Sequence, residues 1–157
     1  MLATIETARL VLRPFESGDA EAAFAWFGDP IVMRFTPTGP DTSLERTKAR
    51  LTNYQEHQTT HGFSKWIMLN RNSGCAIGDS GLLVLREYGW IDLGFRLAQP
   101  YWGKGLAAEA ASAWIHAAFH DLHLDRLAAL VHPENFPSIR ILENYGSVSR
   151  GEARSWA

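Results

Sequence analysis

Residues 101–110 read YWGKGLAAEA, and this stretch says more about the fold than any other part of the chain. A glycine-rich turn leaves an apolar strand and leads directly into an alanine-rich amphipathic helix. Gly103 and Gly105 lack a Cβ, so the backbone there can approach a ligand closely and adopt positive φ angles. The unpaired N–H groups of the first helical turn and the helix dipole favour a negative group at that end. The stretch therefore predicts a site for a phosphate or diphosphate.

Two common phosphate-binding patterns fit this stretch poorly. A Walker loop needs Ser or Thr after its Gly-Lys pair to hold magnesium, whereas Gly105 follows Lys104 here. A dinucleotide-binding turn fits better, because Gly103-x-Gly105-x-x-Ala108 matches G-x-G-x-x-A. Its acidic partner would be Glu134, after the next strand. That fold would have to begin at this turn, however, and too little of the chain follows it.

The stretch resembles the loop of the GNAT acyltransferases, which reads (Gln/Arg)-x-x-Gly-x-(Gly/Ala). Residues 102–107, here called the glycine loop, align with it, although Trp102 stands where the family has Gln or Arg. The W-G-K-G run is similar to the branch that includes the ribosomal-protein-alanine N-acetyltransferases. Residues 7–15 resemble the first strand of that branch, and residues 135–146 resemble its Asn-x-x-Ser segment and the helix after it. The ordered motifs span almost all of the chain up to Gly146.

Composition and charge agree with one enzyme domain over residues 1–157. An apolar content of 46% over this length suits a single sizeable core. The net charge of −2 gives no electrostatic case for a nucleic acid or a membrane surface as partner. No apolar run approaches the roughly 20 residues of a membrane span, and no signal-peptide pattern is present. With one cysteine, Cys75, and so no internal disulfide, we expect a cytoplasmic protein.

The order of elements predicts an α/β (α+β) fold with a mixed, mainly antiparallel sheet, flanked by helices and splayed beside the glycine loop. Strands are expected at residues 9–13, 63–69, 75–85, 90–97 and 126–131. Short turns join the three middle strands, which favours an antiparallel meander. Helices are expected after Ser17 or Asp19, after a capping box at Thr42, from the glycine loop to about His120, and from Asn135. This order is that of the GNAT fold and not of a dinucleotide fold.

The resemblance implies acetyl-CoA as co-substrate; no metal is expected, because the spaced histidines His116, His120 and His123 have no nearby Cys or fourth ligand. In the family, the strand before the glycine loop runs beside the pantetheine arm, and its backbone N–H groups polarise the thioester carbonyl. The cofactor-binding residues implied in this way are Phe95, Leu97, Trp102, Gly103, Lys104, Gly105, Leu106, Ala107, Ala108, Asn135 and Ser138.

Acyl transfer to an amine also needs a base for the amine and an acid for the departing thiolate. Asp92 is the only carboxylate on residues 90–97, and strand alternation puts it on one face with Gly94 and Arg96. Burial would raise its pKa and let it take the amine proton, directly or through water. A structural interpretation, in which Asp92 simply pairs with Arg96, stays equally open.

The acid has fewer candidates. Many GNAT enzymes carry a tyrosine at the position of Leu142, and Tyr145 lies three residues too late on the helix. Ser138 is the hydroxyl that remains as a proton donor to the thiolate. A structural interpretation makes Asn135 the N-cap and Ser138 a first-turn residue of its helix, after Pro137. Capping and cofactor contact are compatible.

The expected reaction is acetyl transfer from acetyl-CoA to a primary amine of a small molecule or peptide. The acceptor is a protein N-terminus, which the branch resemblance suggests, an amino acid, an antibiotic or a polyamine. The alternatives are a catalytically inactive CoA-binding or sensor protein and an assembly protein that keeps only the fold.

The C-terminal residues raise a question of sheet completion. In the family, a two-stranded hairpin follows the helix that ends near Gly146. Two strands of about 5–6 residues and a turn do not fit into residues 147–157. We therefore expect the edge at residues 126–131 to lack its partner, which would give a shortened, weakly active form or a homodimer that completes the sheet.

Overall fold

The computed structural model describes residues 2–145 and a strand at residues 153–156. Its elements are β1 (Ile5–Glu6), β2 (Leu10–Pro14), α1 (Ala20–Phe27), α2 (Leu44–His61), β3 (Lys65–Asn70), β4 (Ala76–Leu85), β5 (Trp90–Leu97), α3 (Leu106–His116), β6 (Leu127–Leu130), α4 (Phe136–Glu143) and β7 (Ala153–Trp156). In this part of the chain, no helix combines the length and hydropathy that a membrane crossing requires. The predicted fold class is confirmed.

The seven strands form one sheet in chain order, and β5 and β6 are its only parallel pair among the described strands. β4 and β5 pair over their whole overlap, from Leu85↔Trp90 to Gly78↔Leu97. β5 and β6, in contrast, have a register of one pair, Asp92↔Ala128. The two strands part beyond that pair. We call the opening between residues 93–97 and residues 129–131 the seam.

Each face of the sheet carries its own core. On one face, α3 and α4 cover β3 to β6, and Trp66 and Trp114 meet edge to face with ring centroids 4.8 Å apart. The other face is covered by α1 and α2, through an aromatic group that consists of Phe15, Trp26, Phe27 and Tyr54. The seam therefore opens towards α3 and α4 on one side and towards α1 and α2 on the other.

Three details of the helices differ from the expectations. The N-cap of α2 is Ser43, whose hydroxyl accepts the Arg46 N–H, so the predicted capping box at Thr42 is wrong by one residue. Asp19 precedes α1 without capping it, because its carboxylate pairs with Arg13 at 2.9 Å. α3 ends at His116, and a wider π-type turn, Ala117–Asp121, follows it.

The outer edge of β6 has a partner, so the expected open edge is wrong. β7 pairs antiparallel with β6 from Leu127↔Trp156 to Leu130↔Ala153. The expectation required strands of average length, whereas β7 has four residues and leaves room for a connection. The argument for a homodimer from an unpaired edge falls with it. Among the described residues, α4 is followed by this one strand rather than by a hairpin.

Candidate active site

The parallel pair brings the predicted site residues to one edge of the sheet. β5 and β6 run in the same direction, so their carboxyl ends lie at the same edge. The glycine loop and α3 follow β5, and a short segment leads from β6 into α4. The N-termini of α3 and α4 therefore both lie beside the seam, where open α/β sheets commonly bind ligands.

The glycine loop has the backbone geometry that its sequence predicts. Gly103 and Gly105 adopt left-handed φ angles of 75° and 78°. Gly105 is the N-cap of α3, and no side chain in the part of the chain that the structure describes caps this helix. Leu106, Ala107 and Ala108 form its first turn, where N–H groups have no intrahelical acceptor. These donors are available to an oxygen anion, which is the arrangement that binds diphosphates.

Side chains of the loop fix its position at the end of β5. The Trp102 indole N–H donates to the Leu97 carbonyl at 2.7 Å, although 44% of the residue is exposed. Leu97 is buried and Phe95 is half-buried, and both pack into the core on the α3 side. Lys104 is exposed, with Nζ 6.0 Å from the centre of the Tyr101 ring. The loop is thus tied to β5, and its lysine is left to the surface.

Arg9, which the sequence reasoning passed over, braces the loop from the other side. Its Nη1 donates to the Lys104 carbonyl at 2.8 Å, and its Nε donates to Glu109 at 2.8 Å. Glu109 also accepts from the Arg9 backbone N–H and from the Thr7 hydroxyl. Burial opposes ionisation of Glu109, but the hydrogen bonds from Thr7 and Arg9 hold the pKa of this carboxyl below its ordinary value. Residues 7–15 therefore support the glycine loop in addition to forming β2.

The Arg9–Glu109 ion pair also reduces the repulsion between the Glu109 carboxylate and a phosphate bound at the start of α3. Glu109 lies in the first turn of α3, where a carboxylate suits the helix dipole but would repel a bound phosphate. The guanidinium of Arg9 offsets that charge at the place where the anion is expected. No local sequence pattern indicates this pair, because Arg9 and Glu109 lie 100 positions apart.

Asp92 lies where β5 and β6 part. One carboxylate oxygen, Oδ1, accepts the Leu130 N–H at 2.6 Å and so closes the end of the seam. The other, Oδ2, lies 3.8 Å from the position that a Cβ on Gly94 would occupy. Burial raises the pKa of Asp92 to about 6, partly offset by the bond from Leu130 and the charges of Lys65 and Arg96. A carboxylate in this state can exchange a proton near neutral pH.

The interpretation that Asp92 pairs with Arg96 is wrong. Arg96 lies opposite Asp79 of β4, and its Nη1 is 3.5 Å from both carboxylate oxygens. Asp79 is fully buried and is also bound by Lys65 at 3.0 Å and by the Trp26 indole at 2.8 Å. Burial alone would raise the pKa of Asp79, but Arg96 and Lys65 hold it below its ordinary value. Within the described residues, Asp92 is thus left without an ion-pair partner of its own.

The start of α4 has the capped geometry of the structural interpretation. Asn135 is the N-cap, and its Oδ1 accepts the Ser138 N–H at 3.4 Å, with Pro137 in the first turn. Ser138 is half-buried, and its hydroxyl has no hydrogen-bond partner among residues 2–145. The Tyr145 hydroxyl donates to the Ala108 carbonyl at 3.2 Å, which ties the end of α4 to α3. Asn135 and Ser138 therefore lie at the start of a helix whose far end is bound to α3.

Two loops meet near the seam on the α1 side. The Phe35 ring, from the segment between α1 and α2, stacks on His132, from the segment between β6 and α4, with centroids 4.9 Å apart. The Arg34 guanidinium lies over the Phe35 ring, 4.7 Å from its centroid.

In the described ranges, no group of three or more His, Cys, Asp or Glu side chains is arranged for a metal.

Comparison with known proteins gives one family. The chain matches the acetyltransferase (GNAT) domain over residues 9–148. A Bacillus licheniformis relative, named uncharacterized N-acetyltransferase p20, is 29% identical over 98% of this chain and 86% of its own length. The crystal structure of an acetyltransferase from Agrobacterium tumefaciens has a TM-score of 0.84 at 25% identity, with 100% of this chain and 95% of that chain covered. A ribosomal-protein-S5-alanine acetyltransferase from Vibrio fischeri shares the fold alone, with a TM-score of 0.77 at 22% identity and coverage of 95% and 85%.

Proposed function

The chain belongs to the acetyltransferase (GNAT) family, and from that premise we propose that it transfers the acetyl group of acetyl-CoA to a primary amine. As a family member it is an acetyl-CoA-dependent acyltransferase; the acceptor and the residue roles are our proposal. The seam is the observation that carries it. Because the seam opens beside the uncapped N-terminus of α3, a diphosphate bound there directs the attached thioester arm between β5 and β6.

The residues at the seam fit acetyl-CoA, which supplies a thioester as acetyl donor when bound. The first-turn N–H groups of α3 receive the diphosphate, and Lys104 adds a positive charge. The Ala98 N–H donates to Ile77 of β4 at 2.9 Å. Since alternate residues of a strand point their N–H groups to opposite edges, those of Phe95 and Leu97 point into the seam. They hydrogen-bond to the pantetheine arm and polarise the thioester carbonyl.

Asp92 is the base in this proposal. Its Oδ2 lies beside Gly94, where the Lys65 ammonium also lies, at the closed end of the seam, while Oδ1 stays bound to Leu130. With a pKa of about 6, the carboxylate is mostly ionised at pH 7 and able to accept the amine proton, directly or through one water. The neutral amine then attacks the acetyl carbon.

Ser138 is the acid. Its hydroxyl is free of protein partners in the described part of the chain and lies in the first turn of α4, which follows β6 at the edge of the seam. It donates a proton to the departing thiolate and is reprotonated from water. Ser138→Ala is expected to lower kcat by roughly 10²-fold with little change in the KM of acetyl-CoA. An unchanged kcat would assign this proton to water.

The acceptor class is open among protein N-termini, amino acids, antibiotics and polyamines. The relatives with ribosomal-protein names support the first of these only through the fold, because they are 22% identical or less.

The test is release of free thiol from acetyl-CoA in the presence of a panel of amines and short peptides. Reactions without amine measure background hydrolysis, and mass spectrometry of the acceptor confirms an added acetyl group. Calorimetry with CoA runs in parallel. Tight CoA binding without thiol release for any amine would contradict the proposal and favour the inactive CoA-binding alternative.

A further inference from the structure

The two faces of the seam offer different chemistry. Leu93 and Leu97 of β5 point into the core shared with α3, which is the side of the diphosphate site. Asp92, Gly94 and Arg96 alternate with them and so lie on the face covered by α1 and α2. If the donor enters from the α3 side, the amine must arrive on the opposite face, across Asp92 and Arg96.

Arg96 is held loosely for a buried guanidinium. Its hydrogen bonds within the described residues are two long contacts of one nitrogen, Nη1, 3.5 Å from each oxygen of Asp79. Asp79 has shorter bonds from Lys65 and Trp26, and the charge of Arg96 adds to theirs in keeping it ionised. A guanidinium has five N–H donors, whereas the acceptors beside Arg96 in residues 2–145 are the Asp79 carboxylate and the Tyr54 hydroxyl, which leaves part of its fork unmatched. Its side chain keeps 20% of its surface exposed.

Arg50, in the same core, is an arginine whose N–H donors are matched by a carboxylate. Its Nε and Nη2 bind the two oxygens of Asp41 at 3.1 and 2.8 Å, as a two-point fork. Both Arg50 and Arg96 lie over the Phe27 ring, 4.9 and 5.3 Å from its centroid. Two arginines share one aromatic partner, therefore, but only one has a carboxylate that matches its fork. Arg96, on the acceptor side of the seam, has no such match among the described residues.

We propose that Arg96 binds a carboxylate of the acceptor, so that the enzyme acetylates amines that also carry a carboxylate. The inference rests on the proposed acetyl transfer. Arginine pairs with a carboxylate through two parallel N–H···O bonds, and such pairing is strongest where water is partly excluded. Asp92 lies on the same face, four residues towards the closed end of the seam, and takes the amine end of the same molecule. Amino acids and peptides with a nearby acidic group fit this pair, whereas polyamines do not.

The experiment compares amino acids with their carboxamides as acceptors, using acetyl-CoA and thiol detection. The parent enzyme should show a higher kcat/KM for each acid than for its amide. Amine availability cannot cause this preference, because the amide has the less basic amine and so more of it unprotonated. Arg96→Met should lower kcat/KM for the acid by roughly 10- to 100-fold, as for loss of hydrogen bonds to a charged group, and leave the amide almost unchanged.

Matched variants separate this role from a structural one. Arg86→Met removes an exposed arginine in the turn between β4 and β5 and should leave the acid-to-amide ratio as in the parent. Arg96→Lys keeps the charge without the fork and should lie between the parent and Arg96→Met. Arg86→Met and Arg96→Lys should unfold near the parental temperature, whereas Arg96→Met should unfold below it, because Asp79 then keeps only Lys65 as a cation; the acid-to-amide ratio, measured on folded protein, is independent of that loss.

The outcomes distinguish this proposal from the one it rests on. If acids and amides are used equally well and Arg96→Met changes neither, the carboxylate site is wrong while acetyl transfer stands. If no amine of either kind releases thiol, both proposals are wrong.

Discussion

The two helices that follow the parallel strands begin in opposite ways. α3 starts at Gly105 in the left-handed conformation, and no side chain satisfies its first turn. α4 starts at Asn135, whose side chain accepts the Ser138 N–H, and Pro137 removes another first-turn donor. Both helices lie at the same edge of the sheet, so their location does not explain the difference. α3 leaves its donors to a ligand, whereas α4 satisfies its own.

Gly105→Val would break this contrast most severely. Valine strongly disfavours the φ of 78°, so the loop must change shape and its N–H groups turn away from the anion site. We expect acetyl-CoA binding to be lost in calorimetry while the protein still folds.

Gly89→Val is the matched control for this change. Gly89 has a φ of 71° in the exposed turn between β4 and β5, and a Cβ there meets nothing within 4 Å. It carries the same backbone strain at a distance from the loop, and should bind acetyl-CoA as the parent does. Equal affinity of Gly105→Val and the parent would refute the diphosphate site.

Asp92 combines the two behaviours, because one of its oxygens is bound to the Leu130 N–H and the other has no hydrogen-bond partner among the described residues. Asp92→Asn should keep an acceptor for the Leu130 N–H but lose the base. We expect kcat to fall by roughly 10²-fold and the rise of kcat/KM with pH near 6 to disappear. A pH series of initial rates with one amine measures both. Retention of rate and profile would assign the amine proton to another group or to water.

The same change should stabilise the fold. Because burial raises the pKa of Asp92 above its unfolded value, the native state holds its proton more tightly than the unfolded chain. The ionised carboxylate therefore costs no stability below about pH 4, and its cost grows up to about pH 6 and then stays constant. At pH 7, Asp92→Asn should raise the free energy of unfolding by on the order of 2 kcal/mol. Urea unfolding at pH 4 and pH 7 measures this, and a difference that is equal at both pH values would contradict it.

Local patterns predicted the central strands well and the partners of their side chains poorly. β5 begins and ends as expected at residues 90–97, because turn residues bound a clear apolar alternation. β1 and β7, with two and four residues, are too short for any periodicity to be seen. The bond from Leu130 to Asp92 spans 38 positions and depends on a parallel pairing that no local pattern specifies.

The partner of Arg96 could have been found. The turn at residues 86–89 sets the register of the β4–β5 hairpin, and this register places Asp79 directly opposite Arg96. Counting outward from the turn would have favoured Asp79 over Asp92 as its partner. The brace by Arg9 could not be found in this way, because its acceptors lie 95 and 100 positions away.

Arg9→Met would test the α3 side of the comparison between α3 and α4. It loosens the glycine loop but leaves the first-turn N–H groups of α3 in place. The variant loses the bond to the Lys104 carbonyl and leaves Glu109 unpaired beside the phosphate site. We expect the KM of acetyl-CoA to rise roughly 10-fold with kcat nearly unchanged, since charged hydrogen bonds contribute about 1.5–3 kcal/mol and this one is half exposed. Steady-state kinetics at varied acetyl-CoA measures the split.

Two comparisons test whether this effect comes from positioning. The Arg71 side chain is exposed to the same extent as that of Arg9. It donates to the Thr7 carbonyl at 2.8 Å, so it also holds the β1–β2 hairpin, but it does not reach the glycine loop. Arg71→Met should leave the KM of acetyl-CoA unchanged. Glu109→Gln added to Arg9→Met should recover part of the affinity, because it removes the unpaired charge. A KM that rises equally in Arg71→Met would mean that the hairpin as a whole, and not Arg9, supports the loop.

Asn135 gives the smallest expected effect and the finest distinction. Its Oδ1 caps α4, while its Nδ2 has no partner in residues 2–145 and is the group that we assign to the cofactor. Asn135→Ala loses both roles, so stability should fall by about 1 kcal/mol and acetyl-CoA affinity by a few-fold. Asn135→Asp keeps the cap but loses the donor, so the unfolding temperature should stay at the parental value while affinity falls further, because the new charge repels the phosphates. Thermal unfolding and calorimetry on both variants separate the roles: if Asn135→Asp binds acetyl-CoA like the parent, Asn135 only caps α4, and the ligand is held from the α3 side alone.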